Sequence, residues 1–171
     1  MPIENQRHNL FIRSLQNQHA IEKKSIQFLE QQIIRLGDYL EFSKRIRTHV
    51  SESKAQIQRL ECVLRAYKSD YYSEKNATYA FMGNLTALSH VIIEEDVIKN
   101  FFVNLAFENF EIATYHALLT LADLCGDRTA QQALKLSLNE EKSMATFVEE
   151  KIDPTIRTYI AKRKNEEQPL H

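Results

Sequence analysis

Acidic side chains at positions where a helix should present its apolar face are the feature of this sequence that could do chemistry. Glu22 lies on the line Leu15, His19, Ile26, Leu29, Ile33 and Leu36, whose steps of three and four residues trace one side of a helix. Glu108 lies likewise among Ile98, Phe101, Leu105, Ile112, Tyr115, Leu119 and Ala122, with Glu111 one turn beyond it. Burying a bare carboxylate costs roughly several kcal/mol unless a cation or hydrogen bonds compensate. A third polar break, His49, Ser53 and Gln56 with Glu52 beside it, interrupts the line Tyr39, Phe42, Ile46, Leu60, Val63 and Tyr67. Glu140 shares a line with Ala133, Leu136 and Phe147, and Glu141 with Leu134, Leu138, Ala145 and Val148, so spacing leaves open which of the two faces inward. Glu22 and Glu52 are 30 residues apart and Glu108 and Glu140 are 32 apart, which in antiparallel hairpins sets four acids at one level. A ring of carboxylates suits one or two divalent cations, and oxygen donors favour Fe, Mn or Mg over Zn or Cu. Any single one of these acids could sit at a stripe edge and reach solvent; that reading is weaker for the set. His49 reads rather as a core-edge imidazole bonded to a backbone carbonyl, and Tyr115 as plain core. His90 and His116 show no spacing to a partner.

The elements that must position these residues follow from the same periodicity. A first helix ends at Gly37, where a left-handed C′ residue fits, and Asp38 with Glu41 three residues on reads as an N-cap and capping box for the second helix. The two form a tight antiparallel hairpin of helices about 45 Å long at 1.5 Å per residue. Ser69 to Asn76 is polar and irregular, and Ala77 to Ser89 reads as a short crossover helix carried by Phe81, Leu85 and Leu88. A third helix is expected from about Glu94 to Leu124. Gly126 and Asp127 repeat the first junction and open a fourth helix from about Arg128 to Ile152. Asp153-Pro154 is expected to break that helix and start a short fifth one at about 155–164, followed by a disordered tail at 165–171. Two helical hairpins joined by one long crossover make the ferritin-like version of the all-α four-helix bundle. Shifted by 86 residues, the first stripe overlays the third and carries Glu22 onto Glu108.

Composition narrows the function classes. The 171 residues fit one domain, with the bundle at about 7–152. Lys+Arg 22 against Asp+Glu 23 gives a net charge of -1, without the footprint of a nucleic-acid binder or a polybasic membrane protein. Lys162 to Lys164 is an ordinary solvated helix end. Three glycines, each more than forty residues from the next, exclude Walker and dinucleotide loops. No apolar run reaches membrane-spanning length and MPIENQRH lacks a signal-peptide plan, so a cytoplasmic protein is expected. Cys62 and Cys125 are isolated in apolar stretches and read as buried inert thiols.

Four segments resemble the ferritin-like YciE/YciF stress-response family of bacteria: AIEKKSI around Glu22, THVSESKAQIQRL around Glu52, FENFEIATYHAL around Glu108 and LNEEKS around Glu140, in the family's order and spacing. The resemblance covers residues 10–152. It implies a bundle, usually a homodimer, with a di-iron or di-manganese carboxylate centre and no established reaction. By analogy with rubrerythrin-like sites it implies Glu22 as a terminal ligand, Glu52 and Glu140 as bridging ligands, and Glu108 with Glu111 as the ExxE of the third helix. The sequence departs from the ferritin-like ExxH pairs, which would need histidine at Ala55 and Ser143; His49 and Gln56 stand as candidates for one such position. Asn109 replaces the histidine that commonly follows the third-helix Glu, and Ser51 replaces an acid. The donor set is then nearly all oxygen, which favours Mn or Mg. The leading expectation is a metal-binding stress protein handling peroxide or oxygen or sequestering iron. The rival is a metal-free structural or interaction module with a degenerate site. Tyr71, Tyr72 and Tyr79 are candidates to cap a dimer interface.

Overall fold

Between Pro2 and Pro154 the chain holds no proline, and apolar residues recur at helical spacing along most of that length. The structure, a computed structural model, describes residues 3–35, 39–70 and 96–166, with the side chains of 5–34, 39–70 and 98–163. Four helices carry them: α1 (Ile3–Arg35), α2 (Leu40–Ala66), α3 (Asp96–Leu124) and α4 (Arg128–Glu166). The expected crossover helix at 77–89, the Gly37-Asp38 junction, His90, the crossover tyrosines and the tail beyond 166 lie outside the described residues. None of the described helices is long and apolar enough to cross a membrane.

Each helix packs on two neighbours: α1 on α2, α3 on α4, α1 on α3 and α2 on α4. Every adjacent pair is antiparallel. Gln16 reaches Ser69 and Asp70 while Lys54 meets Glu30; Gln18 meets Thr114 while Gln32 meets Asn104; Lys151 meets Glu41 while Arg59 meets Ser137. α2 and α3 therefore run parallel on a diagonal, which is the ferritin-like connectivity of an all-α four-helix bundle. The core is divided. Phe11, Leu15, Leu60, Leu64, Leu118 and Leu134 belong to one apolar cluster, and Leu29, Phe42, Ile46, Phe101, Met144 and Val148 to another. The polar side chains of the stripes lie between them.

Local chemistry explains the ends. Gly126 adopts φ +70, and the amides of Gly126 and Asp127 bond back to the carbonyls of Asp123 and Ala122, a Schellman closure of α3. The Asp127 carboxylate then accepts the amide of Ala130 at 2.8 Å and caps α4, as the sequence suggests. Lys68, at φ 53, closes α2 in the same way.

Three expectations need correction. The N-cap of α2 is Tyr39, one residue later than expected and without a side-chain hydrogen bond of its own; Asp38 lies outside the described residues. Among the described residues the C-terminal segment is not a separate helix: α4 runs through Pro154 to Glu166. Proline removes the bond to the carbonyl of Glu150, but Glu150 is exposed and water can serve that carbonyl. Beyond Pro154 the helix is held by packing, with Thr155 buried, Ile152 and Tyr159 against the second cluster, and Lys162 over the ring of Tyr39 at 5.3 Å. Finally, Cys62 is exposed and Cys125 half-buried, because both fall just off the inward stripe.

Candidate metal centre

The polar stripe positions converge between the two apolar clusters. Glu22 from α1, His49 from α2, Glu108 and Glu111 from α3 and Glu141 from α4 are all 0% exposed. One donor atom from each of His49, Glu108, Glu111 and Glu141 lies within 4.8 Å of the others. Glu22 joins this group through Gln18, whose Nε2 donates to Glu22 Oε1 at 3.0 Å and to Glu111 Oε1 at 3.3 Å. Every helix thus brings at least one titratable donor to the same level.

Neutral donors orient the carboxylates on their outer sides. Tyr115 donates its hydroxyl to Glu22 Oε1 at 2.6 Å. Gln18 is itself fixed by Thr114, which donates to its Oε1 at 2.8 Å. Gln56 Nε2 donates to Glu141 Oε1 at 2.5 Å and to Glu140 Oε2 at 3.0 Å. His49 Nδ1 lies 2.8 Å from Glu52 Oε2, which also accepts from Arg45 at 2.9 Å. On the inner side the donors have no such partners. Glu22 Oε2, both oxygens of Glu108, Glu111 Oε2, Glu141 Oε2 and His49 Nε2 are buried and without a hydrogen bond. His49 Nε2 approaches Glu108 Oε2 at 3.2 Å and Glu141 Oε2 at 3.4 Å, outside hydrogen-bond alignment. Buried polar atoms are nearly always paired, so a group of buried donor atoms without hydrogen bonds around one point could hold a cation.

Proton affinities reflect the same strain. Burial, with Glu141 nearby, pushes Glu22 up to about 8. Burial likewise raises Glu108 to about 8 against the opposing pull of His49, and burial beside Glu22 raises Glu111 well above the carboxylate range. Burial works against a charged His49, but Glu108 and Glu141 outweigh it and hold the imidazole well above its usual value. Burial also opposes ionisation of Glu141, yet His49, Glu108 and Gln56 together keep it low. In the absence of a cation these shifts favour protonated Glu22, Glu108 and Glu111 and a charged His49.

The expected site residues divide by position. Glu22, Glu108, Glu111, Glu141, His49 and Gln56 are fully buried around one point. Glu52 and Glu140 flank it, 25% and 26% exposed and paired with Arg45 and Arg59 respectively. Of the two adjacent acids on α4, Glu141 takes the inward place. His49 is bonded to Glu52 rather than to a backbone carbonyl, and Tyr115 is core by its ring yet bound to the site by its hydroxyl. Ala55 and Ser143 supply nothing to the cluster, and Ser143 is exposed. Gln18, Thr114 and Arg59 carry no signal in sequence. Gln18 could have been noticed only as the residue one turn before Glu22.

Residues 6–161 match the family described as a domain of unknown function, DUF892. The chain is similar to protein YciF of Escherichia coli K12, 29% identical over 142 residues that span 79% of this chain and 83% of that protein. Its fold is similar to that of a protein from Xanthomonas campestris, with TM-score 0.79 and 23% identity over 93% of this chain and 99% of the other. It is also similar to the structure of the E. coli stress protein YciF, with TM-score 0.74 and 22% identity over 88% and 97% of the two chains.

Proposed function

The chain belongs to the DUF892 family of YciE/YciF proteins, and from that premise we propose that its buried cluster is a di-metal carboxylate centre. The observation that carries this reading is the set of six buried donor atoms left without hydrogen bonds. Glu22, His49, Glu108, Glu111 and Glu141 would hold the ions. The charge agrees: the four carboxylates, once ionised, match two divalent cations, with His49 neutral. Five carboxylate or imidazole donors suit iron or manganese, with magnesium the redox-silent alternative. Bound iron or manganese supplies one-electron chemistry for handling peroxide or oxygen, or simply keeps iron sequestered.

The chain's own residues prepare the place. With Nδ1–H donating a hydrogen bond to Glu52, the Nε2 lone pair of a neutral His49 would face inward; Arg45 holds Glu52 in turn. Tyr115 and Gln18 pin one oxygen of Glu22 and leave the other free. The apolar clusters on either side keep bulk water away from both. A stress response is the proposed setting, with the protein acting as a homodimer in the cytoplasm.

Elemental analysis of protein purified without chelator from cells supplied with Fe and Mn tests the reading. About two metal equivalents per chain are expected, and Glu108→Gln should lose at least half of them while keeping the helical spectrum. Full stoichiometry in the Glu108→Gln protein would overturn the ligand assignment. A wild-type value near zero would leave the metal-free helical module as the better reading.

A further inference from the structure

The α1/α3 interface carries buried polar side chains that the centre itself does not use. On α3, Asn100 and Asn104 precede Glu108 at intervals of four residues, so they continue its face toward the start of the helix. Asn104 is 0% exposed and Asn100, at 9%, stands at the rim. Across the interface on α1, Ser25 lies one turn from Glu22 and Gln32 two turns further, both buried. Asn104 Nδ2 donates to Gln32 Oε1 at 2.6 Å. That single bond leaves Asn104 Oδ1, Gln32 Nε2 and Ser25 Oγ without partners in the interior. The second apolar cluster, with Leu29 and Phe101, lies at the same end of the bundle. The polar file runs beside that apolar cluster.

We propose that this α1/α3 seam is the passage by which a hydrated divalent cation reaches the carboxylates, with Asn100, Asn104, Gln32 and Ser25 exchanging hydrogen bonds with its water shell. The inference rests on the di-metal reading and adds an entry route to it. Neutral amide and hydroxyl groups suit transit: they solvate a moving ion without trapping it, whereas carboxylates retain it. Asn100 to Glu108 spans about 12 Å at 1.5 Å per residue, a length that the four groups can bridge. The orphaned acceptors, Asn104 Oδ1 and Ser25 Oγ, accept hydrogen bonds from cation-bound water, and Gln32 Nε2 donates one to outer-shell water. A purely structural amide pair would account for the bond between Gln32 and Asn104 but not for three unpaired atoms in file with Glu108.

The test follows Co(II) uptake by metal-free protein, read from the visible absorption of the bound ion in a stopped-flow instrument, alongside final stoichiometry. The paired substitution Asn104→Leu with Gln32→Met removes both amides together and puts apolar side chains of the same reach in their place. It should slow uptake at least tenfold and leave the final metal content at the wild-type level. Uptake within twofold of wild type would overturn the passage while leaving the centre intact. Should the double variant fail to fold, Ser25→Ala serves in its place, with a threefold slowing expected and an unchanged rate counting against the route. No uptake by the wild type would overturn the centre and the passage together.

Discussion

Tyr115 donates a hydrogen bond from its hydroxyl to Glu22 Oε1 at 2.6 Å, from a ring otherwise enclosed in the apolar cluster of Leu15, Leu118 and Leu134. Burial and the neighbouring acids hold that phenol well above its ordinary range, so it stays a donor at any physiological pH. A hydrogen bond to an ionised carboxylate is worth about 1.5–3 kcal/mol, more than one to the neutral acid. Tyr115→Phe should therefore weaken Mn(II) affinity by about 10- to 100-fold at unchanged stoichiometry, while shifting the metal-free protein's stability much less; isothermal titration and denaturation measure the two. The carboxylates themselves were legible in the sequence because an acid on an apolar stripe contradicts its neighbours. The choice between Glu140 and Glu141 was not, since successive residues differ by only about 100° around a helix and both fall within a broad stripe. The hydroxyl of Tyr115 was hidden for a similar reason: a tyrosine in a core stripe looks the same whether or not its tip finds a carboxylate.

At the scale of elements, the four helices were legible from absent prolines and continuous stripes, and Gly126-Asp127 was legible because one residue supplies the left-handed turn and the next the cap. The phase of α3 was read less well. Its inward face includes Asn104, Glu111 and Leu118 as well as Phe101, Glu108 and Tyr115, and polar Asn104 gave an apolar stripe no reason to include it. The junction at Asp153-Pro154 misled because the local preference against helix before proline is a modest bias that packing overrides. Thr155, Ile152 and Tyr159 keep their contacts only if the helix continues. Proline in a helix interior costs about 3 kcal/mol relative to alanine, offset by about 1 kcal/mol from the stiffer unfolded chain. Pro154→Ala should accordingly raise unfolding free energy by about 2 kcal/mol in urea. A change below about 0.5 kcal/mol would mean that the helix bears no proline penalty and does break there.

For the whole molecule, the placing of titratable groups midway between two apolar clusters couples stability to pH and metal in opposite senses. In the metal-free protein Glu22 and Glu108 keep their protons up to about pH 8, chiefly through burial, whereas the unfolded chain releases them near 4.5. Glu111 is displaced in the same direction. The folded state therefore binds more protons across that window, and its stability falls as pH rises from about 4.5 to about 8. His49 adds to the loss at the upper end: burial opposes its charge, Glu108 and Glu141 more than restore it, and the stability it contributes below 6.5 disappears as pH climbs through its raised value. Glu52 and Glu141 are held low and act only at the acid end, where their contribution is lost as pH falls through their folded values. A divalent cation must displace the protons that Glu22, Glu108 and Glu111 hold, so its affinity rises across the same window. Denaturation midpoints in chelator should drop between about pH 5 and pH 8, whereas the added stability from saturating Mn(II) should grow over that range. A metal-free midpoint that rose with pH would show that these acids are already ionised in the fold, and the orphaned oxygens would then need a resident counter-charge other than protons.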